Sequence, residues 1–208
     1  FAFVFLPTTP TLTLEDTPAS KPVLDKNLKY LLVIGVIIFT SFAIFQSVTA
    51  YYLQDRFLLS LNETAKSTAL VLGSMAAMSI VSQLTIVQSF KGSPLRLIWW
   101  SIPFFLASSI VIVFSYNFTW VLFGMSLMGL GMGLASPGYT ASASLNADNN
   151  NQGAAVGLAM IAPGVGFALG PLLSGFLYQA NLNFPFLFTI PLFLAASFLI
   201  FQLEEKSF

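Results

Sequence analysis

The chain has 208 residues, of which 56% are hydrophobic and 8% charged, with a mean hydropathy of +0.83. A soluble domain carries roughly 25% charged residues, so this composition excludes one and indicates an integral membrane protein. A net charge of zero gives no footing for nucleic acid, and the absence of histidine and cysteine removes disulfides, most transition-metal sites and the commonest proton shuttle. No metal and no cofactor are expected.

Residues 1–7, FAFVFLP, are too few to cross a hydrocarbon core about 30 Å thick at about 1.5 Å per residue, and are read as the end of a preceding transmembrane helix stopped at Pro7. Residues 8–29 mix Pro10, Pro18 and Pro22 with Glu15, Asp16, Lys21, Asp25, Lys26 and Lys29, a polar linker that cannot bury a core. Charged residues then parcel out the remainder. Uncharged runs extend from Tyr30 to Gln54 and from Ser67 to Phe90, each one crossing at about 20 residues per span, and from Leu97 to Ala147 and Asn149 to Leu203, each two crossings. The longer runs turn at Ser115-Tyr116-Asn117 and between Gln179 and Asn183, their only polar breaks near the middle. The fold expected is all-α, a six-helix transmembrane bundle over residues 30–203 with spans near 30–52, 67–89, 97–114, 119–143, 153–178 and 184–203, followed by a tail at 204–208.

The linker side of this bundle holds Lys21, Lys26, Lys29, Lys91, Arg96 and Lys206, against Arg56 and Lys66 on the other. Positive residues accumulate on the cytoplasmic side, so the linker and the tail are expected there. Tyr30, Trp99 and Trp100 then stand near the inner boundary, and Tyr51, Tyr52, Trp120 and Tyr178 near the outer one, as interfacial aromatics do.

No acidic or basic residue lies inside the six spans. A charge at the bilayer centre costs about 2.5–3.5 kcal/mol and usually marks an ion path, so this chain shows no evident proton relay. Gln46 and Gln83 are the neutral candidates for a substrate cavity, because a buried amide needs a partner from a substrate or another helix. Glycines dominate the fourth and fifth spans. Gly129 and Gly133, Gly153 and Gly157, and Gly166 and Gly170 stand four apart, and Ala159, Ala162, Gly166, Gly170 and Ser174 form a stripe of small residues that suits close helix packing. Pro163 and Pro171 remove backbone donors and give the fifth span places to bend.

The ladder Gly129, Gly131, Gly133 ending at Pro137, a short polar loop, Gly153 and Gly157, and finally ALGPLLSG with Gly170, Pro171 and Gly175 resemble the tenth and eleventh helices of the major facilitator superfamily. The run is most similar to the drug:proton antiporters, the tetracycline-exporter-like group. That resemblance implies the C-terminal half of a twelve-helix secondary transporter. The linker would connect the halves, and Gly129, Gly133, Pro137, Gly153, Gly157, Pro163, Gly166, Gly170, Pro171 and Gly175 would serve helix packing and gating. It further implies proton-coupled export of neutral or lipophilic small molecules across a bacterial inner membrane, with protons handled by the other half. The first three spans and the last three would form the inverted triplets of one half. An importer of a sugar or other metabolite and a non-transporting membrane scaffold are the rival readings. An intramembrane enzyme would need a histidine, a buried acid or a nucleophile beside a base, and none is present.

The charge asymmetry is directly testable. Cysteines placed at Ser20 and Ser207 are expected to resist an impermeant thiol reagent in intact cells and to react once the membrane is opened. Labelling from outside overturns the orientation.

Overall fold

The computed structural model describes residues 26–145 and 157–204, leaving aside the side chains of Lys26 and Glu204. Most of the linker, the polar loop with Gly153 and the last residues of the tail lie outside the described residues. Within them the chain forms α1 (Lys26–Phe57), α2 (Leu61–Ser82), α3 (Pro94–Val113), α4 (Phe118–Leu145), α5 (Ile161–Ala180) and α6 (Phe184–Glu204). All six are long and apolar enough to cross a membrane.

Helices α1 and α2 run further than the uncharged segments do. Asp55 and Arg56 lie in the last turn of α1, and Glu63 and Lys66 in the first turns of α2. Charge ends the apolar span, not the hydrogen-bonded helix, which continues into the polar interface. A tight turn joins the two. Leu58 takes a left-handed φ of 52°, and the Leu59 N–H donates to the Gln54 carbonyl at 3.1 Å, the Schellman closure in which glycine is the usual residue. Ser60 then caps α2: its hydroxyl accepts from the Glu63 N–H, while the Glu63 carboxylate accepts from the Ser60 N–H at 3.0 Å. This is a reciprocal capping box, legible in the sequence as Ser-x-x-Glu. Pro94 opens α3 at a position where its missing N–H costs nothing, and the Asn117 side chain accepts from the Trp120 N–H at the start of α4.

The C-terminal end of α2 departs from a regular helix. Residues Gln83–Val87 widen into a π-helical segment, with the Gln88 N–H reaching the Gln83 carbonyl at 3.2 Å. Hydroxyl groups crowd this place, Ser82 Oγ donating to the Ser79 carbonyl and Thr85 Oγ1 to the Val81 carbonyl. Such back-bonding competes with the backbone ladder and loosens it locally. The fifth span is also interrupted. Residues 157–159 are helical, Met160 is a turn, and α5 begins at Ile161. Pro163 therefore sits in the first turn of α5, where the lack of an N–H costs no hydrogen bond within α5. Of the two prolines expected to bend this span, only Pro171 is interior.

Helices α1 and α4 occupy the middle of the bundle. Helix α2 packs on α4, α5 packs on α1, and α3 and α6 pack on each other and on α4 and α1. The core between them is aromatic and aliphatic. Phe186 meets the edges of Phe45 and Tyr52 at 5.1 and 5.0 Å, and Phe105 stacks on Phe193 at 4.9 Å. Glycines set the closest approaches. A Cβ on Gly129 would overlap the Met75 carbonyl of α2, and one on Gly133 would overlap Ser82 Oγ and the Ser79 carbonyl. On the other flank, a Cβ on Gly166 would lie 2.7 Å from the Thr40 nitrogen, and one on Gly170 would lie 3.0 Å from the Thr40 carbonyl oxygen. Gly35, Gly124, Gly131 and Gly138 also meet neighbours closely, at the rings of Tyr139 and Phe105 and at residues of α3.

These contacts separate glycines by context. Gly129→Val forces α2 and α4 apart and is expected to cost about 1–3 kcal/mol through overpacking. Gly73→Val, at a glycine with nothing within 4 Å, is expected to leave the melting temperature of the purified protein nearly unchanged. Equal melting temperatures for the two variants contradict the packing described.

Candidate functional site

The surface least occupied by the bundle's own packing belongs to α2 and α5. Helix α2 exposes Ala65, Ala69, Gly73, Ala76 and Ala77, and α5 exposes Gly164, Ala168, Pro171 and Gly175. Gly157 and Gly175 have nothing within 4 Å of an added Cβ, so they are not packing positions among the described residues. The buried positions of α5 are instead Ala162, Gly166, Gly170 and Ser174, the face turned to α1. Pro137 is half-buried inside α4.

Neither candidate glutamine is buried. Gln46 is exposed on the C-terminal half of α1, and Gln83 is exposed at the start of the π-helical segment, its Nε2 donating to Ser79 Oγ at 3.4 Å. The two residues come from different helices and opposite halves of the membrane span, so they do not converge on one point. Hydroxyls offer little either. Ser47, Thr49, Ser126 and Thr140 donate to carbonyls one turn back on their own helices, and Ser174 to the Pro171 carbonyl. Thr40 and Ser41 differ. Their buried hydroxyls, midway along α1, have no hydrogen-bond partner.

A concavity lies between α1 and α5 toward the end of the bundle that carries Asp55 and Tyr178. It encloses about 510 Å³ and is lined by Ser47, Val48, Tyr51, Pro171, Ser174, Gly175 and Tyr178. With both serine hydroxyls engaged by their own helices, its walls are effectively apolar and aromatic. Tyr51 and Tyr178 face one another with ring centroids 6.3 Å apart. The Tyr178 hydroxyl donates to Asp55 Oδ2 at 2.6 Å, tying α5 to α1 at the cleft's rim. Arg56, next along α1, points to α3 instead: its Nη2 donates to the Ser115 carbonyl at 2.8 Å, and Tyr52 donates to the Ile112 carbonyl at 3.0 Å. The cation thus meets the negative end of α3, where carbonyls lack helical partners. A sequence reading limited to intramembrane charge passes over Asp55 and Tyr178. No local pattern in the sequence pairs them, because they stand 123 residues apart in the chain.

Six helices long and apolar enough to cross a membrane, with a neutral interior and exposed small-residue faces, define the transmembrane bundle of an integral membrane protein. The family model of the Major Facilitator Superfamily matches residues 31–207, and the chain belongs to that superfamily. Among solved structures, the human organic anion transporter MFSD10 (TETRAN) is similar in fold, with a TM-score of 0.72 at 16% identity over 83% of this chain. The chain spans about 40% of that transporter's length. No curated protein sequence matches it. Membership makes this a protein of membrane transport and not an enzyme.

The cleft and the packing face of α5 predict opposite outcomes for one chemical change. Gly175→Leu, projecting into the open cleft, is expected to keep the melting temperature while lowering transport severalfold. Gly170→Leu, projecting at Thr40 and Ala43, is expected to lower stability by about 1–3 kcal/mol. Normal transport in a folded Gly175→Leu variant rules the cleft out of the substrate route.

Proposed function

We propose that this chain supplies the C-terminal six-helix half of a twelve-helix secondary transporter that exports neutral or lipophilic small molecules in exchange for protons. The observation that carries the reading is the pair of exposed small-residue faces on α2 and α5. Small residues facing lipid gain nothing over leucine, whereas against another helix they permit close backbone contact. A second six-helix bundle with matching faces fits both flanks, and rocking of one bundle against the other about a shared cavity gives alternating access. The length ratio to the organic anion transporter agrees with such a half. In this arrangement both ends of the bundle lie in the cytoplasm and the protein resides in a bacterial inner membrane.

The substrate class follows from the walls. Among the described residues, charged side chains sit only in the terminal turns of helices and in the connecting loops, and Arg56 is engaged at the end of α3. An organic anion finds no counter-charge inside this half. A neutral or lipophilic molecule matches the apolar and aromatic cleft, with Gln46 and Gln83 on the surface available as hydrogen-bonding groups. Neither amide takes up or releases a proton in the physiological range, so proton coupling falls to the other half.

The test is transport in vesicles at several imposed proton gradients. Replacing Gln46 and Gln83 together by alanine is expected to alter affinity or substrate range and to leave the dependence on the gradient intact. A double variant that binds substrate normally but no longer responds to the gradient refutes this division of labour.

A further inference from the structure

A second concavity lies on the opposite side of the bundle from the exposed faces of α2 and α5. It encloses about 320 Å³ between α3 and α6 and is lined by Trp99, Trp100, Ile102, Pro103, Leu106 and Ser197. Its only hydroxyl is spent, Ser197 Oγ donating to the Leu194 carbonyl at 3.0 Å, so the walls present mainly apolar surface. Both indoles stay substantially uncovered, at 39% and 46%, although Trp100 is held edge to face by Phe90 at 5.2 Å. Exposed Ile110, Leu194 and Phe198 on the same two helices mark this side as one that faces hydrocarbon.

Charge stands at one end of this groove. Arg96, Trp100 and Pro103 are spaced four and three residues apart and share one face of α3, with Arg96 a turn closer to the helix start. The Arg96 side chain is exposed, and its guanidinium has no hydrogen-bond or ion-pair partner among the described residues. Lys91, in the loop before α3, is exposed at the same end. An apolar slot, two indoles at its mouth and a free guanidinium one turn beyond reproduce the order of chemistry along a phospholipid, from acyl chain through the interfacial region to phosphate. Indoles settle at the headgroup boundary, and arginine grips phosphate with two parallel hydrogen bonds.

We propose that the α3–α6 groove is a binding site for an anionic phospholipid of the inner leaflet, its acyl chain lying against Trp99, Trp100 and Pro103 and its phosphate held by Arg96. The site rests on the orientation and the two-bundle arrangement described above, which leave α3 and α6 facing the bilayer. An anionic headgroup is selected over a zwitterionic one because nothing in the described groove offers a negative partner to a choline or ethanolamine group.

Brominated lipids quench indole fluorescence on contact, which makes the groove its own reporter. The full-length protein is placed in nanodiscs containing equal mole fractions of brominated phosphatidylglycerol or brominated phosphatidylcholine. Phosphatidylglycerol is expected to reach half-quenching at about fivefold lower mole fraction, as one basic contact near a membrane surface implies. The Trp99→Phe/Trp100→Phe variant identifies the part of the signal that arises in the groove. Arg96→Gln is expected to abolish the preference for phosphatidylglycerol and Arg96→Lys to keep part of it. Ser197→Leu, which fills the slot, is expected to lower groove quenching by both lipids. Arg96 packs against nothing in the bundle, so its variants remain informative even where Ser197→Leu unfolds. Equal quenching by the two lipids, or a preference that survives Arg96→Gln, overturns the proposal. The readout needs neither substrate nor gradient and both leaflets have one composition, so a failure of the transport or orientation reading leaves it valid.

Discussion

The bundle depends on backbone meeting backbone at two places, α4 against α2 and α5 against α1. Hydrocarbon solvent is as apolar as leucine, so helices in a membrane are not driven together by water. What holds them is dispersion at short range, and that falls off within an ångström of a lost contact. Gly129 and Gly133 bring α4 onto the carbonyls of Met75 and Ser79, and Gly166 and Gly170 bring α5 onto Thr40 and Ala43. With α1 and α4 central, these two approaches position both flanking helices and therefore the faces of α2 and α5 left exposed.

Polar groups are arranged so that this packing carries almost no charge. Most serines and threonines return their hydroxyl proton to a carbonyl of the same helix, and those that reach across are few. Ser108 donates to the Gly124 carbonyl at 2.7 Å, Ser109 shares a proton with Thr189 at 2.8 Å, and Tyr139 donates to the Ala159 carbonyl at 2.8 Å. The last of these has structural consequence. Ala159 directly precedes the turn at Met160, where the helix is interrupted, and Tyr139 satisfies a carbonyl there while its ring lies against Gly35. One side chain on α4 thereby joins α1 to the approach to α5.

The end of the bundle that carries Asp55 and Arg56 is organised differently, by hydrogen bonds of charged groups and by aromatic contacts. Arg56 fastens α1 to the end of α3, and Asp55, beside it, fastens α1 to Tyr178 of α5. Two adjacent residues of opposite charge thus face different neighbours, because successive positions on a helix are turned by about 100°. Loosening the Asp55–Tyr178 contact would free one wall of the cleft without touching the clamp on α3.

The sequence by itself determined that the chain is a membrane protein with six spans, because charge is too costly inside hydrocarbon to be placed anywhere but at the ends. Its spacing of small residues also named the face of α5 occupied by Ala162, Gly166, Gly170 and Ser174, since periodicity defines a face without reference to a neighbour. Tertiary structure decided everything that depends on which helix stands opposite. Gly157 and Gly175 read like Gly166 and Gly170 in sequence, yet they meet open space among the described residues, and only the fold shows that Gln46 and Gln83, the candidates for a substrate cavity, stand on the exposed surface of this bundle. The contact between Asp55 and Tyr178 joins residues far apart in the chain, and no local pattern encodes it. The break before α5 likewise drew on the fold, because the Ala159 carbonyl beside it is satisfied by the Tyr139 hydroxyl of another helix.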